Sequence, residues 1–352
     1  MSNKEFNPNG VIPDNGNYFG FPVEANEAAL VLISAPWDAT TSMRVGSSYA
    51  PDAIIEASRH IDLYDPISPD CWRKGIATAP IDYTIQDLSL NLHSDAERVV
   101  NLHDELGMSV LENIMYTRSL RRVNEGVAEM HDNIYAQSLE WLNKGKIVGL
   151  VGGDQSTSYG LVKAMGQKYG EFGILHIDSK VNLRDNYCGF AFSYASIMHD
   201  LLRDVKQIKS LVSVGVREFS PIEWQRAQED ERVKLFTGQQ IWADHFEGVT
   251  WSSVCDKIVA ELPENVYIAL DIDGLTMDCS PHTSTLISGG LRFPEVVYLF
   301  NKLVNSGRHI VGFDLSGVVP CHDDKVDAQV AARLLFKMCG ISLKGVQAPD
   351  IL

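Results

Sequence analysis

The sequence has no paired cysteines. Cys71, Cys188, Cys255, Cys279, Cys321 and Cys339 stand far apart, with no CxxC and no regular spacing. In a chain of 352 residues that pattern speaks against a disulfide framework and reads as reduced thiols in the cytoplasm. Positive charge is also scarce: 30 Lys and Arg against 46 Asp and Glu leave a net charge of −16. Such a balance argues against nucleic acid or an anionic membrane as partner, and fits an acidic, solvated surface. No apolar run approaches the roughly twenty residues that span a bilayer. The N-terminus has no charged-then-apolar signal segment. Neither GxGxxG nor GxxxxGKS occurs, which speaks against a nucleotide-binding loop. Internal repeats, low-complexity linkers and breaks in composition are missing too, so one domain is preferred over two.

What the chain does contain is a series of short apolar runs. Residues 1–27, rich in Asn, Gly and Pro, read as an N-terminal arm, and residues 28–352 as a single α/β domain. Strands are expected at Ala29–Ile33, Ile147–Val151, Gly173–Ile177, Ser210–Val216, Val233–Phe236, Val266–Leu270 and His309–Phe313, with a short edge strand within Ile76–Ile81. Helical spacing marks Pro51–Ser58, Leu92–Met115, Val123–Leu142, Ser156–Lys168, Ser196–Asp204, Ser252–Glu261 and Pro294–Asn305. Strands without polar alternation, interleaved with helices, imply a mostly parallel sheet covered on both faces.

Three of these strands end in chemistry. After Gly173–Ile177 come Asp178, Lys180 and Asn182 at alternate positions, which on an extended chain face one way. After Ile147–Val151 come Gly152, Gly153, Asp154 and Gln155; Asp154 serves either as a helix cap or as a site residue. After Val266–Leu270 come Asp271 and Asp273, two carboxylates close enough to need a metal, a cation or a shared proton. The carboxyl ends of such strands are where open α/β sheets hold ligands.

With these stretches in hand, the chain resembles the ureohydrolase superfamily: arginases, agmatinases, guanidinobutyrase-like enzymes and formiminoglutamases. The similarity runs from about residue 30 to 338. It comprises Pro36-Trp-Asp38, the loop Thr40–Gly46, the segment Ala50–Ser58, Gly152-Gly-Asp-Gln155 against GGDH, and His176–Asn182 against HxDAHxD. Val214–Arg217, Asp271-Ile-Asp273, Ser280–Thr285 with Gly289-Gly-Leu291, and Val311–Pro320 against DxxExxP complete it. The resemblance implies a three-layer α/β/α fold with a sheet of about eight strands. It also implies trimers or hexamers, and two manganese ions held by four Asp and two His, whose bridging hydroxide attacks a guanidinium or formimino carbon.

Carried over by position, Asp178, Asp271 and Asp273 remain as ligands. Gln155 and Lys180 stand where the family has histidines, and Asn182 where it has an aspartate. Tyr194 replaces a catalytic-site histidine and Gly317 the glutamate of DxxExxP. His282 and Ser284, flanking Thr283, replace two glycines of a turn that borders the substrate pocket. A lysine among three carboxylates keeps its proton and cannot ligate. The expectation is therefore a degenerate manganese site in which Lys180 forms a buried ion cluster with Asp178, Asp271 and Asp273. No cofactor is expected, or at most one weakly held Mn or Mg ion through Gln155 and Asn182 oxygens.

The reading that follows is a pseudoenzyme, inactive on guanidino substrates, which serves as a binding, regulatory or partner subunit. Its partners would be copies of itself or an active paralogue. The alternative is a hydrolase of linear amidine or guanidino C–N bonds that uses a single residual metal. Metal-free chemistry at Cys279 or Cys321 is a third reading, against which a lone cysteine is more often a small buried residue. By parity His176 shares the face of Asp178, as a hydrogen-bonding neighbour or as a further ligand.

Overall fold

A short apolar strand with no polar face must be covered on both sides, and this chain supplies the cover from the segments between its strands. The computed structural model describes residues 6–348 and 350–352. The strands are β1 Leu30–Ala35, β2 Ile76–Thr78, β3 Ile147–Gly152, β4 Phe172–Ile177, β5 Ile208–Val214, β6 Val233–Phe236, β7 Asn265–Asp271 and β8 His309–Ser316. They form one eight-stranded sheet in the order β2-β1-β3-β8-β7-β4-β5-β6. Every pairing in it is parallel.

The helices are α1 Ala50–Ser58, α2 Tyr83–Leu106, α3 Ile114–Asn143, α4 Ser158–Lys168, α5 Ile197–Asp204, α6 Pro221–Glu229, α7 Gly238–Phe246, α8 Trp251–Ala260, α9 Phe293–Asn305 and α10 Val326–Leu343. Alternate strand residues feed two cores. Leu30 and Leu32 join Val212, Ile268 and side chains of α1 and α7 to α10 on one face. Val31 and Ile33 join Leu150, Ile174 and side chains of α2 to α6 on the other. The result is the α/β/α arrangement the sequence implies, with β2 at one edge as expected. Among the described residues, no helix is long and apolar enough to cross a membrane.

Helix boundaries follow their caps. The α2 helix starts nine residues before the expected Leu92, because Asp82 accepts the Thr84 backbone N–H and opens the helix there. The α6 helix, which apolar spacing does not mark, is fixed by a capping box of Ser220 and Glu223 with Pro221 in its first turn.

Of the N-terminal arm, residues 1–5 lie outside the described residues. Residues 6–27 lie against the domain, with Tyr18, Phe19 and Phe21 fully buried. Three aromatic side chains in four positions outweigh the Asn, Gly and Pro around them, because burying each ring gains more than a polar neighbour loses.

Candidate functional site

The strands β3, β8, β7 and β4 are consecutive in the sheet, so the residues leaving their carboxyl ends meet near one point. Asp154 and Gln155 follow β3, Asp178 follows β4, Asp271 ends β7 and Gly317 follows β8. Asp178, Asp271 and Asp273 are all buried, and one carboxylate oxygen from each lies within 4.8 Å of the others. They line a small cavity together with Asp154, Gln155, Lys180, Asn182, Tyr194, Ser284 and Gly317. Thr41 and Thr285 also line it. Neither is marked as a site residue by the sequence, although both lie in loops that carry the resemblance, Thr40–Gly46 and Ser280–Thr285.

The three carboxylates are held differently. Asp178 Oδ2 accepts from Asn182 Nδ2 at 2.7 Å and from His176 Nε2 at 3.1 Å, and Oδ1 accepts the Lys180 backbone N–H at 2.7 Å. Burial alone would raise its pKa, but the His176 bond and the Lys180 N–H outweigh burial and hold the group below the usual carboxylate range. Asp273 accepts the backbone N–H and the hydroxyl of Ser179 at 3.0 and 2.8 Å. Burial, then the charges of Asp271 and Asp178, push it well above that range. Asp271 accepts the Asp273 backbone N–H and the Ser316 hydroxyl. Burial and the charge of Asp178 raise it to about 7. One anionic carboxylate therefore sits beside two that keep a proton more readily.

Asp154 caps the turn after β3 and also lines the cavity. Its Oδ1 accepts the Ser156 backbone N–H at 2.9 Å, capping the turn after β3, while Oδ2 accepts from Thr41 at 3.3 Å. Burial raises it to about 7. His176 is fully buried behind Asp178 and its other ring nitrogen lies 3.0 Å from Ser213 Oγ; it does not line the cavity.

Tyr194 reaches the Ser42 hydroxyl at 3.4 Å, and burial pushes its phenol up to about 12, so it stays protonated. Gly317 has φ +79, and a Cβ there would sit 2.0 Å from Asp271 Oδ1. No side chain fits at that position while Asp271 stays where it is.

Of the three turn residues, Ser284 lines the cavity. His282 instead turns to Asp327 of α10, with Nδ1 2.7 Å from Oδ2. Thr283 donates to the Gly317 carbonyl at 3.0 Å. Both brace the loop and do not face the carboxylates.

The expected ion cluster is corrected in one respect. Lys180 Nζ lies 3.9 Å from Glu218 Oε2 and 3.5 Å from Thr285 Oγ1. Among the described residues it makes no ion pair with Asp178, Asp271 or Asp273. Past the end of β4 at Ile177, Lys180 pairs with Glu218 in an isolated parallel bridge, and its ammonium turns toward that residue. Asn182, at a left-handed φ of 56°, turns its amide in to Asp178.

Beside the three carboxylates stand two amides and an ammonium, where the resemblance implies two histidines and an aspartate for a pair of manganese ions. Asn182 Nδ2 donates to Gln155 Oε1 and to Asp178 Oδ2, both at 2.7 Å. Turning either amide over would set like groups against each other, so Asp178 fixes both orientations. The buried Gln155 Nε2, with no hydrogen-bond partner among the described residues, is an N–H group and repels a cation. Lys180 adds a positive charge to the same cavity wall.

Over 323 residues, covering 92% of each chain, the sequence is 28% identical to N(1)-aminopropylagmatine ureohydrolase of Thermus thermophilus. Over 310 residues, 87% of this chain and 89% of the relative, it is 26% identical to agmatinase of Bacillus anthracis. Proclavaminate amidino hydrolase from Streptomyces clavuligerus superposes with a TM-score of 0.71 at 17% identity, covering 96% of this chain and 100% of that one. At that identity the likeness shows the fold alone. Residues 28–340 match the arginase family as a whole, and the chain belongs to it.

Proposed function

We propose that this arginase-family chain does not hydrolyse guanidino groups through paired manganese ions and instead works as a binding, regulatory or partner subunit. The observation that carries the reading is the Asn182 amide locked between Gln155 and Asp178. Its N–H donors occupy Gln155 Oε1 and Asp178 Oδ2, two oxygens that a metal there would draw on. Lys180, on the same cavity wall, opposes a second positive charge there. Assembly into trimers or hexamers, or with an active paralogue, and a cytoplasmic setting belong to the same proposal.

A second reading has its own support. The buried carboxylates of Asp178, Asp271 and Asp273 converge as hard-cation ligands do, and the relatives' names point to agmatine and aminopropylagmatine as substrates. On that reading one residual metal serves hydrolysis of a linear amidine or guanidino C–N bond. Manganese loading, desalting and elemental analysis separate the two, alongside urea release from agmatine. The first reading expects well under one equivalent of metal and no urea. A full equivalent with urea release overturns it in favour of the second.

A further inference from the structure

The helices α2 and α3 hold 24 and 30 residues, lengths of roughly 36 and 45 Å. The longest strand beneath them has 8 residues, about 26 Å. The pair is therefore longer than the sheet is deep, and its joined end has little under it. The last buried residue of α2 is Val99 and the first of α3 is Tyr116. Between them, among the described side chains, Val110 alone is buried.

That end is apolar where it meets water. Leu106, Leu111, Ile114 and Met115 are all exposed, Leu111 by 61% and Ile114 by 78%. The turn is also held firmly. Asn113 caps α3 through the N–H groups of Met115 and Tyr116, and the Tyr116 hydroxyl donates to the Cys188 carbonyl at 2.8 Å. A fixed cluster of exposed apolar side chains marks a docking surface.

Charge of both signs surrounds it. Ile114, Arg118 and Arg121 follow one another at spacings of four and three, which puts them on one exposed stripe of α3. Among the described residues neither arginine makes an ion pair, unlike Arg98 and Arg122, which both pair with Asp95. Glu125 lies further along the same stripe. At the turn Asp104, Glu105 and Glu112 are exposed, and Asp104 has only His103 of its own helix, at 3.8 Å.

Three acids at the tip repel an anionic membrane, and two unpaired arginines behind them repel a basic partner. A fitting occupant brings an apolar centre with acids and arginines arranged in the opposite sense. The patch itself does so when turned about a two-fold axis. Glu112 and Arg118 each lie three residues from Met115. Two such ends laid antiparallel about an axis near Met115 set apolar side chains together, with Glu112 of one chain beside Arg118 of the other.

We propose that the joined end of α2 and α3 is a two-fold interface, where a second copy of this chain docks through Leu111, Ile114 and Met115 with Glu112 and Arg118 paired across the axis. The interface needs neither metal nor catalysis, so it goes beyond the functional reading above and stands or falls apart from it. It joins single chains or larger rings alike, and its signature is a factor of two in mass.

Sedimentation velocity on the full chain at about 100 µM, a concentration that populates a micromolar complex, tests this. Wild-type protein is expected to sediment at twice the mass of Ile114→Asp. Glu112→Arg and Arg118→Glu should each weaken the doubling about tenfold or more, and the variant carrying both changes should recover it. All these side chains are exposed, and circular dichroism confirms that each variant is folded. Equal masses for wild type and Ile114→Asp overturn the proposal, whether both are doubled or neither is. A combined variant as weak as either single one overturns it too, because the two charges then do not meet across the axis.

Discussion

Asp178 and Asp273 are close neighbours with opposite displacements, one held low by its donors and the other pushed up by burial and charge. Their difference makes the site a source of pH dependence. Asp271 and Asp154 are raised to about 7 from an ordinary 3.8. Between those values the folded chain keeps protons that the unfolded chain releases, so stability falls as pH rises through this window. Above about 7 the full penalty is present; below the ordinary carboxylate pKa it is gone. The melting temperature of metal-free protein is therefore expected to drop between pH 5 and pH 8. Asp271→Asn, which removes one buried acid while keeping its shape, should flatten that slope and raise the melting temperature at pH 8. A slope identical in the two proteins would show that the rest of the acidic chain causes it.

At the scale of elements, the loop after β7 is fastened to the end of β5 by one side chain. Arg217 Nη2 donates to the carbonyls of Asp273 at 2.7 Å and Ile287 at 2.9 Å, while Nη1 reaches Gly215 at 3.2 Å. Close backbone approach completes the fastening: Gly290, at φ +101, leaves no room for a Cβ beside the Leu275 carbonyl, 2.3 Å away. A single ammonium cannot span these carbonyls. Arg217→Lys should cost about 2 kcal/mol in urea unfolding and speed amide exchange across residues 275–290. Unchanged protection there would mean that the loop holds itself.

This fastening also marks where the sequence stops being readable. The eight strands are legible because each is a short apolar run with a polar exit, and the meeting of Asp178, Asp271 and Asp273 follows from strand ends alone. The direction of Lys180 is not legible, because it follows a bridge to Glu218, on a segment distant in sequence. Arg217 belongs to a stretch that carries the resemblance, but its role is not legible: its partners are backbone atoms of a loop about 60–70 residues away, and backbone atoms leave no residue signature. The α10 helix is not legible for a third reason. It is buried nearly all round, so it has no polar face to show a period.

For the whole molecule, the segment before β1 joins parts of the domain that are far apart in sequence. The Tyr18 backbone N–H donates to Thr78 of β2, its hydroxyl meets Ser34 of β1 at 2.9 Å, and the Phe19 N–H donates to Ser58 of α1 at 2.8 Å. The ring of Phe19 meets Phe336 of α10 edge-on at 5.3 Å between centroids. Two strands and two helices on one face of the sheet thus share this one clasp. The physical consequence is that loss of the ring is felt as a core cavity and not as a change in a loose terminus. Phe19→Ala is expected to cost about 3–5 kcal/mol, read as a lower urea midpoint with an unchanged slope. Phe19→Leu should recover much of that, because it refills most of the volume. Val11, in the same segment, is 96% exposed, so Val11→Ala should leave the midpoint where it was. Were Phe19→Ala as mild as Val11→Ala, residues 6–27 would be an arm lying on the surface, and the domain would be held together without them.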